Sequence, residues 1–303
     1  MTAPTTSPGA TAPRTTQIAL ARSVAQDPGR FTLLVRKLGV SGIIAAAVLA
    51  VFVILAVFAP LIAPYAPDYP DLLSALSGPS AQHILGADAL GRDLFSRLIY
   101  GARITLLGPT LVILISTVVG TVLALLAAWN RGAVDTAISW VLDVLFAVPG
   151  IVFCLIAVAI FGPNLLTVVV GLSIGYIPYV ARVVRGAALR ERGMPYVQAA
   201  WLQGQSGIGI SLRQIFPNVQ PIVVAQAVSS LGFAVIDLAA VSFLGLGVQP
   251  PTADLGLMVK SGFDSVLRGQ PLEAVSAGLA IVLIVWSITV IGDRLASNAR
   301  SIR

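Results

Sequence analysis

Residues 104–128 read ITLLGPTLVILISTVVGTVLALLAA, 25 positions without one charged side chain. A helix crossing the hydrocarbon layer needs roughly 17–25 such residues, since no water is present there to pair a free backbone group. Further apolar runs occupy about 38–62, 138–161, 165–181, 219–247 and 274–291. The ten-residue alternation of a membrane barrel is missing. The pattern predicts an all-α membrane protein with six transmembrane helices, the fourth interrupted by Pro178.

Composition agrees. Hydrophobic residues make up 57% of the 303 and charged ones 11%, against roughly 25% charged in soluble domains. A soluble enzyme, a disordered chain and a coiled coil are thereby excluded. The net charge of +6 does not point to nucleic acid, because the 19 basic residues are scattered between apolar blocks. Cys154 stands alone inside one such block and reads as a small buried filler. His83 is the sole histidine and has no His, Cys or HExxH partner in the sequence, so a metal centre is not expected.

The chain divides into an N-terminal tail over 1–37, a membrane domain over 38–293 and a C-terminal tail over 294–303. Residues 1–29, rich in Thr, Ala and Pro, read as flexible. The first apolar run exceeds the 7–15 residues of a signal peptide and reads as an uncleaved helix. Placing the first tail in the cytoplasm puts 14 basic residues inside and 5 outside. By the positive-inside rule both termini are then cytoplasmic.

Three connections exceed simple turns. In the outer segment 63–103, Leu94, Phe95, Leu98 and Ile99 share one helical face, which predicts a helix lying at the interface. The outer loop 248–271 carries Pro250-Pro251. In the cytoplasmic loop of about 182–218, Pro195 can open a short helix, with Tyr196, Ala199, Ala200 and Gln203 on one face. Gly204 and Gly207 end it, and Pro217 marks the return to the next span. Such a helix is either a docking knob for a soluble partner or part of an ordinary loop.

Asp143 and Asp237 fall inside expected spans, where a carboxylate is costly and must face the bundle interior, a partner or water. Asp143 lies near a cytoplasmic end, where an interfacial hydrogen bond suffices. Asp237 is expected to line a path or contact a partner chain. Gly171-Leu172-Ser173-Ile174-Gly175 matches the GxSxG elbow of serine hydrolases, but it sits in an expected helix and lacks a nearby histidine. The same residues read as GxxxG, which brings two helices close. Pro149 and Pro178 are expected to kink their helices.

The run Gln198-Ala199-Ala200, then Gly204, then Ile215-Phe216-Pro217 resembles the EAA loop of bacterial ABC importer permeases, with the spacing from Gly to Pro preserved. Ser242-Phe243-Leu244-Gly245-Leu246-Gly247-Val248-Gln249-Pro250-Pro251-Thr252 is similar to the end of the fifth helix in dipeptide/oligopeptide permeases. Leu85-Gly86-Ala87-Asp88, Leu90-Gly91-Arg92-Asp93 and Ser96–Arg103 resemble that subfamily's C-type subunit. Gln198 replaces the family's Glu, Phe216 its usual Leu, and Leu255 a frequent Trp.

This resemblance implies a type I importer fold and a non-catalytic subunit of the bacterial inner membrane. It would pair with a second, homologous permease, with two ATPase subunits that carry ATP and Mg, and with an extracytoplasmic binding protein, all within lipid and without nucleic acid. Tyr196, Gln198, Ala199, Ala200, Gly204 and Pro217 would form the ATPase-coupling surface. The chain has no Gly-Lys-Ser/Thr P-loop of its own. Dipeptides or oligopeptides are the expected cargo, with nickel or glutathione as alternatives on the same architecture. A stand-alone secondary transporter would need two inverted repeats, which the sequence does not display; a scaffold protein is the third class.

Overall fold

The computed structural model describes residues 30–301, with side chains from 39 to 296. The flexible tail expected over 1–29 lies outside the described residues. Residues 30–38 are helical, and Gly39, with φ 66° and ψ 177°, interrupts that helix. Among the described residues the structure is helical, with a lone antiparallel bridge between Ala87 and Asp93.

Among the described residues, besides a single turn over Ala59–Ile62, nine helices organise the fold: α1 (Arg30–Val57, of which Gly39–Val57 is membrane-length), α2 (Leu94–Asn130), α3 (Gly132–Ala147), α4 (Gly150–Phe161), α5 (Leu165–Arg192), α6 (Pro195–Leu202), α7 (Gly207–Phe243), α8 (Leu255–Val266) and α9 (Leu272–Ser301). Five are long and apolar enough to cross a membrane, and the bent pair α3–α4 brings the number to the expected six when it is counted as one span.

The α3–α4 pair is bent by 82°. Val148 is extended because the ring of Pro149 disfavours helical geometry in the residue before it. Gly150 then opens α4. Pro149 thus acts as expected, whereas Pro178 sits buried inside an unbroken α5.

The helix expected at the interface over 94–99 is instead the first turn of α2, which runs without interruption for 37 residues. Asp93 caps it by accepting from the Ser96 N–H at 2.8 Å. The charge that should have kept this turn in water, Arg97, is 1% exposed. Its guanidinium donates to the carbonyls of Pro67 and Pro251. Asp88 anchors the same segment, accepting from the Arg92 Nε at 2.6 Å. His83 Nδ1 meets Asp93 Oδ1 at 3.0 Å, so this histidine serves the loop's own packing.

Three apolar cores stack along the bundle. One, next to α6, gathers Ala124, Val184, Ala188, Val197, Ala200 and Ile215. A middle core holds Val112, Cys154, Val168, Leu172, Tyr176 and Leu238. The third, beneath the Arg97 cap, holds Leu94, Val235, Leu255, Met258 and Ile284. Cys154 is fully buried, the filler role expected of it.

The Gly171–Gly175 motif packs helix on helix. A β-carbon at Gly171 would lie 2.6 Å from Cys154 Cα, and one at Gly175 would lie 2.6 Å from Gly150 Cα. Ser173 between them is buried and donates to the Val169 carbonyl at 2.6 Å, as a helix-packing serine does. The hydrolase reading has no support in this geometry.

The outward surface is apolar: Val51, Ile54 and Val57 on α1, Ile156, Ile160 and Phe161 on α4, and Val282 on α9 are exposed. Only 17% of the α1 window is buried. An apolar surface of this extent is stable in lipid or against a partner chain, not in water.

Candidate functional site

At one end of the bundle, α6 is held outside the spans between α5 and α7. Pro195 supplies its first turn, where a missing N–H costs nothing. Its last turn closes in a Schellman motif: Gly204 N–H donates to the Trp201 carbonyl and Gln205 N–H to the Ala200 carbonyl. Gly204 takes φ +77° to allow this. Gly207 does not end the helix as expected but begins α7, pressed against the Trp129 indole.

The face expected to unite Tyr196, Ala199, Ala200 and Gln203 is divided. Val197 and Ala200 turn inward, 3% and 4% exposed. Tyr196, Gln198, Ala199 and Leu202 face out. A helix this short cannot stay folded alone in water, and its inward pair anchors it in the core of α2, α5 and α7. Tyr196 fixes both flanks: its hydroxyl donates to Glu191 at 2.7 Å and accepts from Asn218 Nδ2 at 2.9 Å. Burial, followed by the Glu191 bond, pushes its pKa up to about 12, so it remains a donor at neutral pH. Gln198 Nε2 donates to the Gly193 carbonyl at 3.3 Å.

Behind α6 lies a pocket of about 590 Å³ lined by Trp129, Asn130, Arg192, Gln198, Trp201 and Leu202. Trp129 and Trp201 meet at 5.4 Å between ring centroids, and the Arg192 guanidinium lies 5.0 Å over Trp129. Sequence reading missed this cluster, because its three members come from three separate helices with no common spacing.

Pro217 follows a turn of π-helix over Ser211–Ile215 inside α7. A proline there removes one backbone donor and crowds the carbonyl four residues earlier; widening the preceding turn relieves the crowding. The chain thus returns toward the bundle as expected, without breaking the helix.

A second pocket, of about 340 Å³, lies between α4, α5 and α7 where the α3–α4 bend opens the bundle. Asp237 lines it with Tyr176, Tyr179, Gln226, Ser230 and Phe233. Tyr176 Oη donates to Asp237 Oδ2 at 2.7 Å. Asp143 is elsewhere: it pairs with Arg182 at 2.7 Å, its side chain 66% exposed. A relay of aromatic contacts connects the two aspartates. Arg182 caps Phe146 at 4.0 Å, Phe146 meets Tyr179 at 4.8 Å, and Tyr179 meets Tyr176 at 6.0 Å.

Comparison with known proteins gives consistent results. The family model described as binding-protein-dependent transport system inner membrane component matches residues 116–299. The di/tripeptide transport system permease protein DppC of Pseudomonas aeruginosa is 37% identical over 242 residues, covering 78% of this chain and 80% of that protein. The glutathione transport system permease protein GsiD of Pectobacterium atrosepticum is 38% identical over 235 residues, covering 77% and 78%. Its Escherichia coli namesake is 39% identical over 236 residues, covering 77% of each. A solved chain of the MetNI methionine ABC transporter, in an inward-facing conformation, superposes with a TM-score of 0.55 at 20% identity. It covers 68% of this chain and 96% of that one. At that identity the likeness speaks for the fold.

Proposed function

We propose the function of this chain from one premise: it belongs to the family of binding-protein-dependent transport system inner membrane components. It is a multi-pass permease subunit of an ATP-driven ABC importer, of the type I fold. Importers of this family work with ATPase and substrate-binding partners. Our reading is more specific: one copy of this chain pairs with a second, homologous permease and two ATPase subunits, and an extracytoplasmic binding protein delivers cargo. Hydrolysis, with its ATP and Mg, then belongs to the partners, and this chain is non-catalytic.

One observation carries the reading. The α6 helix presents Tyr196, Gln198 and Ala199 outward on an anchored mount, and its Gln198-Ala199-Ala200 run with Gly204 resembles the family's coupling loop. Ala200, Gly204 and Pro217 shape that mount from behind. Closure of the ATPases would push on α6 and, through the Tyr196 ties and the Ala200 anchor, on α5 and α7 as rigid levers. The basic-residue count of 14 against 5 puts α6 and both termini in the cytoplasm. Asp237 lines the translocation path, and Asp143, paired with Arg182 outside that pocket, belongs to the path or to the interface with the second permease.

Dipeptides or oligopeptides are the cargo on this reading. Glutathione is a second one, favoured by the GsiD similarity at 38–39% identity; it too is a small peptide with a free amine. Co-purification from native membranes in mild detergent, with mass identification, tests the assembly. Two ATPase chains and a second permease are expected. This chain recovered alone and still transporting would overturn the proposal.

A further inference from the structure

We propose that the Asp237 pocket is an ammonium-binding station, and that it holds the free amine of the cargo during passage. The inference rests on the importer reading above. Tyr176, whose hydroxyl contacts Asp237, lies eleven residues into α5. At 1.5 Å per residue that is about 16 Å from the Leu165 end, and Asp237 itself lies about 9 Å from the Phe243 end of α7, so the pair sits inside the roughly 30 Å of hydrocarbon. A carboxylate at such depth is expensive unless something compensates it.

The chain itself supplies little compensation. Among the described residues Asp237 has one hydrogen-bond donor, Tyr176, and no basic side chain in ion-pair range. Two other acidic residues of the helical body are handled differently: Asp143 and Asp135 each meet an arginine within 2.7 Å. Asp237 instead opens into a pocket of about 340 Å³. That space suits the terminal residue of a small peptide and not a whole oligopeptide.

The donor set identifies the class of ligand. A metal ion would want several oxygens converging, but here a single carboxylate is ringed by Tyr176, Tyr179 and Phe233. Aromatic faces attract an organic ammonium when it is desolvated. The carboxylate adds a charge-assisted hydrogen bond. Gln226 and Ser230, hydrogen-bonded to each other at 3.0 Å, offer polar contacts for the adjoining peptide group. Tyr176 holds the Asp237 carboxylate from one side, leaving its Oδ1 for the incoming N–H.

The test uses the complete importer in proteoliposomes, its binding protein pre-loaded to equal occupancy with dialanine or with N-acetyl-dialanine. Pre-loading removes the binding protein's own preference from the rates. The wild type is expected to import the free-amine peptide at least tenfold faster, and Asp237→Asn, checked for co-purification of its partners, to lose most of that difference. Asp237→Glu should keep it. Equal wild-type rates for the two peptides overturn the proposal without any variant. So does an Asp237→Asn complex that assembles and keeps the wild-type ratio. A wild type that imports neither peptide overturns the importer reading for peptides, and this inference falls with it.

Discussion

The α-carbon of Cys154 lies 2.6 Å from where a β-carbon on Gly171 would stand. The α4 and α5 backbones are thus in contact at this point, and the α3–α4 bend is locked against α5 with Gly150 and Gly175 facing each other in the same way. Gly171→Ala forces the helices apart and should destabilise the chain by about 1–3 kcal/mol, as overpacking does. Gly186, on the same helix, has open space around its missing β-carbon. Gly186→Ala should gain up to about 1 kcal/mol from helix propensity. Opposite shifts of the thermal midpoint in detergent are expected. A Gly171→Ala midpoint equal to wild type would refute the contact.

The coupling surface can be separated from its mount. Ala199 is exposed on α6, whereas Ala200 is 4% exposed in the core beneath it. Ala199→Arg should leave the chain folded and cost at least tenfold in recovery of the ATPase subunits on co-purification. Ala200→Arg buries a charge without a partner and should destabilise the permease itself. If both variants melt like wild type, or if Ala199→Arg retains its ATPases, α6 is not the docking element.

Much of this was readable from the residues and some was not, for physical reasons. The spans stood out because lipid demands long uncharged runs, and Pro195, Gly204 and Gly171–Gly175 were legible because each meets a local backbone requirement. The α2 turn over 94–99 was misread since Arg97 looks like a surface charge. It is paid for by carbonyls of Pro67 and Pro251, and the latter is 154 positions away. Distance along the chain also hid Tyr176 from Asp237, which are 61 positions apart. Ala200 turns into a core shared with Ala124 and Val223, which lie outside the loop, so no spacing within it reveals the inward face.

Asp254 caps α8, accepting from the Leu257 N–H at 3.1 Å, and it is fully buried. Burial raises its pKa above the ordinary 3.8, and the hydrogen bonds from the Leu257 N–H and the Thr105 hydroxyl only partly oppose this. The folded state therefore holds the proton more tightly than the unfolded one. Stability from this group is greatest below pH 3.8 and declines as pH rises toward the folded pKa. Asparagine keeps the cap and cannot ionise. The stability of Asp254→Asn relative to wild type should therefore climb with pH above 3.8 and then level off, in chemical denaturation followed across that range. A difference independent of pH would show that Asp254 titrates alike in both states.

Two ion pairs of opposite burial set the last expectation. Asp88 is 2% exposed and accepts from the Leu90 N–H, the Arg92 N–H and the Arg92 Nε, with Arg97 Nε at 3.5 Å. Asp88→Ala would leave two buried guanidinium groups without an anion in ion-pair range. Breaking a buried pair in this way costs about 3–5 kcal/mol. Asp88→Asn retains acceptors for the backbone and should cost less. The Asp143–Arg182 pair is comparably short, at 2.7 Å, but lies exposed near the cytoplasmic end of its span, and Asp143→Ala should cost at most about 1 kcal/mol. The exposed pair should also weaken with added salt while the buried one does not. Thermal midpoints at low and high salt rank the variants. Equal losses for Asp88→Ala and Asp143→Ala would mean that the Arg97 cap is hydrated and not the sealed element that joins the start of α2 to the Pro250-Pro251 loop.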